Sequence, residues 1–441
     1  MDQGIFVVPF AAALALIALF DARILLGIWM FLWLGMPTLR SRVGPVSVYW
    51  CDVASIAAVF LCLRYQGTEI SRQLSRWYWA LFVVHCVGAV TSLLRYEAVL
   101  EPGYEVLRYG LAFLPLLLLP RVTADSTAMA WVWRGIVIAA LWMAVVALIQ
   151  SQWRDLAMQL EGILYGDRSK GSGSFAYRER ALMFSERIRV HGMYGSSTCF
   201  AGATTMAGAL LMFRMSRERV GWLTRLALVG AAAAMLLTIS RHGLLAWLLL
   251  LLPAMLHRPG RGSILPIVMI GTVAALGAGD FWAERINRGG ISEDENLSYR
   301  LVERPLELIE RISDEPSILI GGVGLGTSHI MSTGEEGPSQ EGFVSNSFAL
   351  YLFYLGAAAL FTVTALLVSA FLAAFTLEGK LRAAALGGLA ATVVVVASDN
   401  YAFLHTSFPF MWSALVALIF DAAVALEPLT DENIEQAALA H

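Results

Sequence analysis

Apolar stretches, each about as long as a helix that crosses a lipid bilayer, follow one another along most of this chain. A transmembrane helix needs roughly 20 consecutive apolar residues. Hydrophobic residues make up 58% of the 441 residues, whereas soluble domains contain about 45–50%. The sequence therefore predicts an all-α polytopic membrane protein with about 12–14 transmembrane helices. The apolar stretches lie near residues 5–20, 23–36, 46–63, 77–94, 105–120, 128–150, 193–213, 220–239, 242–256, 263–279, 346–375, 383–398 and 402–425.

Two long polar stretches interrupt this pattern and cannot lie in lipid. The first is rich in glycine and serine, and the second carries 13 Asp or Glu residues against five Arg. We predict transmembrane helices in residues 1–279 with a loop near 151–188, then a large loop at 280–345. Residues 346–425 form the C-terminal transmembrane helices, and residues 426–441 form a tail.

Short basic turns indicate which side of the membrane each loop occupies. Turns that face the cytoplasm carry an excess of Lys and Arg. Basic residues mark the turns near 214–225, 257–262 and 380–382, which we therefore expect inside, together with the C-terminal tail. Both long polar stretches are then extracytoplasmic. Arg40 and Arg42 fall outside on this map, against the rule.

Composition excludes several classes of protein. The formal net charge of −3 argues against nucleic acid as a partner. The four cysteines, Cys51, Cys62, Cys86 and Cys199, have no metal-ligand spacing and imply no disulfide framework. No set of Asp, His and Cys residues has metal-ligand spacing, so no metal ion is expected, and we expect no cofactor. The N-terminus lacks the basic region of a secretory signal peptide, and we expect its first apolar stretch to be retained.

Arginine stands beside a histidine at the ends of two apolar stretches. The first such segment is Arg189-Val-His-Gly192 and the second is Ser240-Arg-His-Gly243. The planar guanidinium offers a fixed fork of donors that suits phosphate oxygens. An arginine at a membrane boundary also commonly extends to lipid headgroups. Both interpretations remain open at this point.

The second polar stretch contains a predicted helix with arginines on one face. Arg300, Arg304 and Arg311 are spaced four and seven residues apart, which places them on the same side of a helix. Pro305 is tolerated in a first turn, so the regular helix should start near it. The alternative is a solvated face whose arginines pair with the interleaved glutamates.

A glycine-rich segment, Gly321 to Gly326, follows this helix. Glycines let backbone N–H groups approach an anion, although a glycine-rich turn after a helix is also common. It is not a nucleotide-binding loop, since no strand–turn–helix unit surrounds it. The sequence does not identify which residue acts as an acid or a base. The candidates expected near the outer face of the membrane are Glu186, Glu303, His191, His329 and Asp399.

These separated segments resemble the bacterial O-antigen polymerase and O-antigen ligase superfamily. Residues 189–195 are similar to its Arg-x-x-Gly-x-Phe-x-Asn segment, with serines in place of the asparagine. Residues 238–246 are similar to its Ser-Arg-Gly segment. Residues 298–326 are similar to its large outer loop in the order of an arginine, a proline and a Gly-x-Gly pattern. Residues 345–356 are similar to the segment in which the family's chain re-enters the membrane.

The resemblance implies a metal-independent, inverting glycosyl transfer on the periplasmic side of the bacterial cytoplasmic membrane, in a GT-C-like fold. The donor would be a glycan on undecaprenyl pyrophosphate, and membrane lipid and a chain-length regulator protein would be partners. Ligases of the family carry histidine where this chain has Ser345, which favours a polymerase. The alternatives are an O-antigen ligase or protein O-oligosaccharyltransferase. A transporter of lipid-linked sugars is a weaker alternative, because transporters carry charges inside their helices.

The resemblance and the clustering of charge together give a set of expected site residues. We expect the catalytic residues to be Arg189, Arg300, Arg241, Glu186 and Glu303. We expect the substrate to be bound by Arg187, His191, Arg304, Arg311, Gly322, Gly324, His329 and Asn346.

Overall fold

A computed structural model gives the architecture, and its described part is mostly helical. The described residues are 7–37, 39–43, 46–62, 65, 67–97, 100–153, 183–184, 187–188, 190, 192–194, 197–257, 304–325, 346–398 and 406–425. The helices are α1 Val7–Asp21, α2 Ile24–Gly35, α3 Trp50–Cys62, α4 Glu69–Tyr96, α5 Leu100–Ala112, α6 Pro115–Val122, α7 Ser126–Gln152, α8 Ser197–Arg217, α9 Trp222–Leu237, α10 Arg241–His257, α11 Arg304–Asp314, α12 Ile318–Gly321, α13 Ser347–Leu355, α14 Ala357–Thr376, α15 Gly379–Ser398 and α16 Ser407–Val424. Two antiparallel hairpins complete the described elements, β1 Arg40–Val43 with β2 Val46–Tyr49 and β3 Met183–Phe184 with β4 Arg187–Ile188.

The prediction of an all-α membrane protein is confirmed. Five of the described helices, α4, α7, α14, α15 and α16, are long and apolar enough to cross a membrane, and shorter apolar helices accompany them. One side of α4 exposes a row of large apolar side chains, among them Trp79, Val83, Val87 and Val90, as a lipid-facing helix requires. The count of 12–14 crossings stays a prediction.

Helices α8 and α15 pack in opposite directions and define the two ends of the bundle. A Cβ built on Gly202, near the start of α8, would lie 2.8 Å from Val395, near the end of α15. Further along, Thr392 contacts Met206. We call the end where α7 finishes and α8 begins the loop end, and the end where α8 finishes and α9 begins the turn end.

Ion pairs hold the helix ends together at the turn end. Arg217 pairs with Asp421 at the end of α16, at 2.9 Å between Nη1 and Oδ2. Arg23 pairs with Asp125 at 3.1 Å, and Asp125 also accepts hydrogen bonds from the first N–H groups of α7. A side chain at this position satisfies N–H groups that have no partner within the helix. The basic residues that the structure gathers at this end include Arg23, Arg72, Arg121, Arg214, Arg217, Arg219, Arg225, Lys380 and Arg382.

The structure divides two of the predicted apolar segments. The stretch 105–120 was expected as one helix, but it forms α5 and α6 with a break at Phe113 and Leu114. Pro115 has no N–H to continue the helix, and the N–H of Leu116 donates to Phe113 at 3.0 Å rather than to Ala112. The carbonyl of Ala112 accepts a hydrogen bond from Ser413 of α16 at 3.2 Å. A neighbouring helix thus satisfies a polar group that lipid would leave without a partner.

The stretch 346–375 is likewise not a single helix. It forms α13 and α14, which meet at Gly356 with a φ of 83°. A Cβ at Gly356 would lie 2.8 Å from the carbonyl oxygen of Ile320, so only glycine fits this corner. The apolar stretch near 46–63 also begins differently from the prediction. Valines alternate with polar residues in β2, and α3 starts only at Trp50.

Candidate functional site at the loop end

The first arginine segment adjoins backbone that α7 holds firmly. The side chain of Gln150, in the last turn of α7, accepts a hydrogen bond from the N–H of Gly192 at 2.8 Å and donates to its carbonyl at 3.2 Å. The hydroxyl of Tyr194 donates to the carbonyl of Leu34 at the end of α2. Val190, Met193 and Tyr194 are buried. The chain on either side of position 191 is therefore fixed at the loop end.

Gly192 is required by its conformation and by its neighbour. Its φ is 55°, and a Cβ built there would lie 2.4 Å from the ring of Phe200 in α8. Any larger residue would meet the aromatic ring as well as the strain of a left-handed backbone. The close approach seats this segment on the first turn of α8.

The second arginine segment opens α10 through a strained turn. Ile239 has a φ of 53°, which is an outlier for a β-branched residue. The hydroxyl of Ser240 accepts a hydrogen bond from the N–H of Gly243 at 3.3 Å and lies 3.1 Å from Nδ1 of His242. Strain of this kind concentrates at functional sites, and here it fixes how the chain enters Arg241 and His242.

Successive residues of α8 bring the two arginine segments together. Phe200 packs on Gly192, and the next residue, Ala201, lies 2.7 Å from a Cβ built on Gly243. The residue after that, Gly202, packs on Val395 of α15. Segments separated by about fifty residues of sequence thus meet around the first turn of α8.

No model of a known protein family matches the chain, and no curated protein matches it. The resemblance therefore rests on the sequence motifs alone.

The glycine-rich segment packs into the bundle between α4 and α13. The N–H of Val323 donates to the carbonyl of Phe353 at 2.8 Å, and that of Gly324 donates to Tyr354 at 3.0 Å. The N–H of Gly322 donates to Ile318 at 2.8 Å. These amides already have backbone partners, so the expectation that they approach an anion is not supported by this geometry. Substrate binding at Gly322 and Gly324 stays a prediction that needs another basis.

Close backbone packing explains these glycines. A Cβ on Gly322, which has a φ of 71°, would lie 2.2 Å from the backbone of Tyr354. A Cβ on Gly324, which has a φ of 107°, would lie 2.3 Å from the hydroxyl of Ser92. Residues 322–324 of one family-like stretch therefore contact Phe353 and Tyr354 of another. In the same way, the two arginine segments both contact α8.

Asn346 caps a helix. Its Oδ1 accepts a hydrogen bond from the N–H of Ala349 at 3.2 Å, in the first turn of α13. Asparagine is a preferred residue at this position because it satisfies a free N–H group. The Oδ1 atom of Asn346 therefore has a structural role in capping the helix. Contact between Asn346 and substrate stays a prediction.

Of the remaining expected site residues, the structure describes some and not others. Arg241 is partly buried at the start of α10. Arg187 lies in β4, which contacts α7, and the backbone of α11 carries positions 304 and 311. Helix α11 starts at Arg304, as the proline predicts. The others lie outside the described residues: Glu186, Arg189, His191, Arg300, Glu303 and His329.

Sequence reasoning missed a buried ion pair toward the loop end. Arg108 of α5 has its Nε 3.5 Å from Oδ2 of Asp52 in α3, and its guanidinium stacks 3.8 Å from the ring centroid of Tyr49. The hydroxyl of Tyr104 lies 3.4 Å from the same carboxylate. Removing one partner of a buried pair leaves an uncompensated charge. The available signal was that opposite charges stand inside two apolar stretches.

Proposed function

We propose that this protein polymerises undecaprenyl-pyrophosphate-linked oligosaccharide repeat units into a surface polysaccharide, O-antigen or a related glycan. The observation that carries the proposal is that family-like segments contact one another in two pairs at the same end of the bundle. Gly192 and Gly243 both pack on α8, and residues 322–324 pack on α13. All lie at the loop end, away from the basic turns.

The chemistry requires mainly that charge be held in place. The acceptor hydroxyl oxygen bonds to the anomeric carbon of the donor sugar, the bond from that carbon to the pyrophosphate oxygen breaks, and the configuration inverts. A base takes the hydroxyl proton, which contributes about 10²–10⁴-fold. The pyrophosphate leaves with its electron pair. Preorganised arginines at the loop end would stabilise its developing charge, and they act best where water is excluded.

The orientation proposed for this site follows from the distribution of basic residues. The turn end gathers arginines from α4, α6, α8 and α9 together with Lys380 and Arg382 of α15. The positive-inside rule puts such an end in the cytoplasm. The loop end then faces the periplasm, where the lipid-linked donor is expected.

Cysteine labelling in intact cells tests this orientation. A cysteine at Glu336 is expected to react with a membrane-impermeant maleimide once the outer membrane is permeabilised. A cysteine at Arg219, which is exposed at the turn end, is expected to react only after the inner membrane is opened. The reverse pattern would overturn the map.

The glycans made by a strain that lacks this protein distinguish a polymerase from a ligase. A deletion strain that makes lipid A–core carrying a single repeat unit has lost a polymerase, and this is the result we expect. Long chains that accumulate on the lipid carrier would instead indicate a ligase. An unchanged glycan profile would reject both activities.

Metal independence is a separate prediction. Within the described residues, no group of three or more His, Cys, Asp and Glu side chains is arranged to hold a metal ion. Transfer by the purified protein in proteoliposomes should continue in excess EDTA. Loss on chelation, with recovery on addition of Mg²⁺ or Mn²⁺, would contradict the prediction.

A further inference from the structure

The segment formed by α11 and α12 exposes large apolar side chains at the loop end. Leu306 and Ile309 of α11 are 52% and 56% exposed, and Ile320 of α12 is 82% exposed. Ile312, on the same apolar arc of α11, is buried against the bundle. Glu310 and Asp314, on the other side of the helix, are exposed. An amphipathic helix with an exposed apolar edge is typical of the boundary between membrane and water.

Polar contacts fix this segment to the end of α4. Arg95 pairs with Glu315 at 2.8 Å and donates a hydrogen bond to Ser317 at 2.9 Å. Thr91, one turn earlier in α4, lies 2.7 Å from a Cβ built on Gly321. The connection between α11 and α12 is therefore held at a defined depth relative to α4.

The exposed side chains of α12 continue a surface that already faces lipid. The outer half of α4 exposes Val87, Val90 and Leu94 on the helix that Gly321 touches. On the other side, Gly356 at the start of α14 packs on the carbonyl of Ile320, and α14 exposes Phe361 at 75%. Both α4 and α14 are long and apolar enough to cross a membrane. Ile320 lies between two lipid-facing helices.

We infer that α11 and α12 form a lipid-binding surface, with Ile320 among the acyl chains and α11 lying along the bilayer boundary on Leu306 and Ile309. The occupant is the lipid leaflet at the loop end. The exposed apolar surface of α4 and α14 continues up to Ile320. This continuity favours lipid over a soluble partner protein, because whatever contacts Ile320 must lie next to the lipid that surrounds those two helices. This inference does not depend on the proposed activity.

Fluorescence quenching in vesicles tests the surface. Single cysteines replace Ile309, Ile320 or, as a control, Asp314 in full-length protein whose native cysteines are alanine. Asp314 is exposed and lies about 140° from Ile309 around the helix. Each cysteine carries an NBD fluorophore in phosphatidylethanolamine and phosphatidylglycerol vesicles. Nitroxide-labelled lipids should quench positions 309 and 320 several-fold more than 314, and aqueous iodide should do the reverse.

Two results would overturn the inference. Equal iodide quenching at 309 and 314 would mean that α11 stands in water, and protection of 309 and 320 from both quenchers would mean that protein covers them. The wild-type chain provides a second measurement that needs no substitution. A diazirine dissolved in the lipid phase should label Leu306, Ile309 and Ile320 and spare Asp314 and Glu315, as read by mass spectrometry. Labelling without this contrast would also reject the surface.

Discussion

Replacement of Arg189 by lysine is expected to remove most of the polymer while the protein still folds and reaches the membrane. Lysine keeps the positive charge but loses the planar fork that can grip two phosphate oxygens. If the guanidinium stabilises the leaving pyrophosphate, its loss costs about 2.7–4 kcal/mol, or 10²–10³ in rate. Folding should survive, because Gln150, Phe200 and the carbonyl of Leu34 hold the adjoining residues.

The measurement is the polysaccharide ladder on a gel, at matched levels of membrane protein. Arg300→Lys should give the same loss, since we propose that Arg300 binds the same pyrophosphate as Arg189. Arg225→Lys is the matched control, because Arg225 is exposed at the turn end and should leave the ladder unchanged. A wild-type ladder from both Arg189→Lys and Arg300→Lys would reject the assignment and support contact with lipid headgroups, which lysine makes equally well.

Much of the helical framework could be predicted from the sequence because hydropathy is a local signal. The stretches at 128–150, 193–213, 220–239 and 383–398 correspond to α7, α8, α9 and α15. The predictions failed where a single residue interrupts an apolar stretch. Pro115 ends a run of helical hydrogen bonds, and Ser413 of a neighbouring helix donates to the nearby carbonyl of Ala112. The corner at Gly356 depends on contact with Ile320.

The arrangement of the site was less accessible, because it depends on contacts between distant parts of the chain. The sequence places Arg241 at a helix end, but nothing in it pairs that turn with Gly192 through α8. Gln150 also escaped notice. In the sequence it is visible only as an amide side chain in the last turn of an apolar helix. Its structural role depends on its hydrogen bonds to Gly192, which is 42 residues away. The strain at Ile239 is likewise visible only in the backbone.

The glycine-rich segment shows how one pattern can have two physical causes. Glycines permit both an anion-binding loop and a close contact between backbones. Hydropathy and spacing do not separate these, since both need the same residues. The difference lies in where the N–H groups point, and those of Gly322 and Gly324 point to backbone carbonyls.

Gly322→Ala is therefore expected to destabilise the whole loop end. The new methyl would lie 2.2 Å from the carbonyl carbon of Tyr354 at a φ of 71°, and backbone cannot move aside as a side chain can. Strain at such a φ costs about 1–3 kcal/mol, and overpacking adds about 1–3 kcal/mol. Relief would require breaking the hydrogen bonds from Val323 to Phe353 and from Gly324 to Tyr354, which join the segment to α13.

Gly103→Ala provides the matched control. Gly103 lies in α5, and a Cβ there would meet nothing within 4 Å, so alanine should stabilise that helix by about 0.5–1 kcal/mol. The melting temperature in detergent should fall clearly for Gly322→Ala and stay level or rise for Gly103→Ala. An anion-binding role for the segment makes a different prediction. Alanine would then also reduce the stabilisation of the protein by pyrophosphate, whereas a packing role alone leaves that stabilisation unchanged. Because the amides of residues 322–324 already donate to backbone carbonyls or lie against α4 and α13, we expect a lower melting temperature with unchanged stabilisation by pyrophosphate.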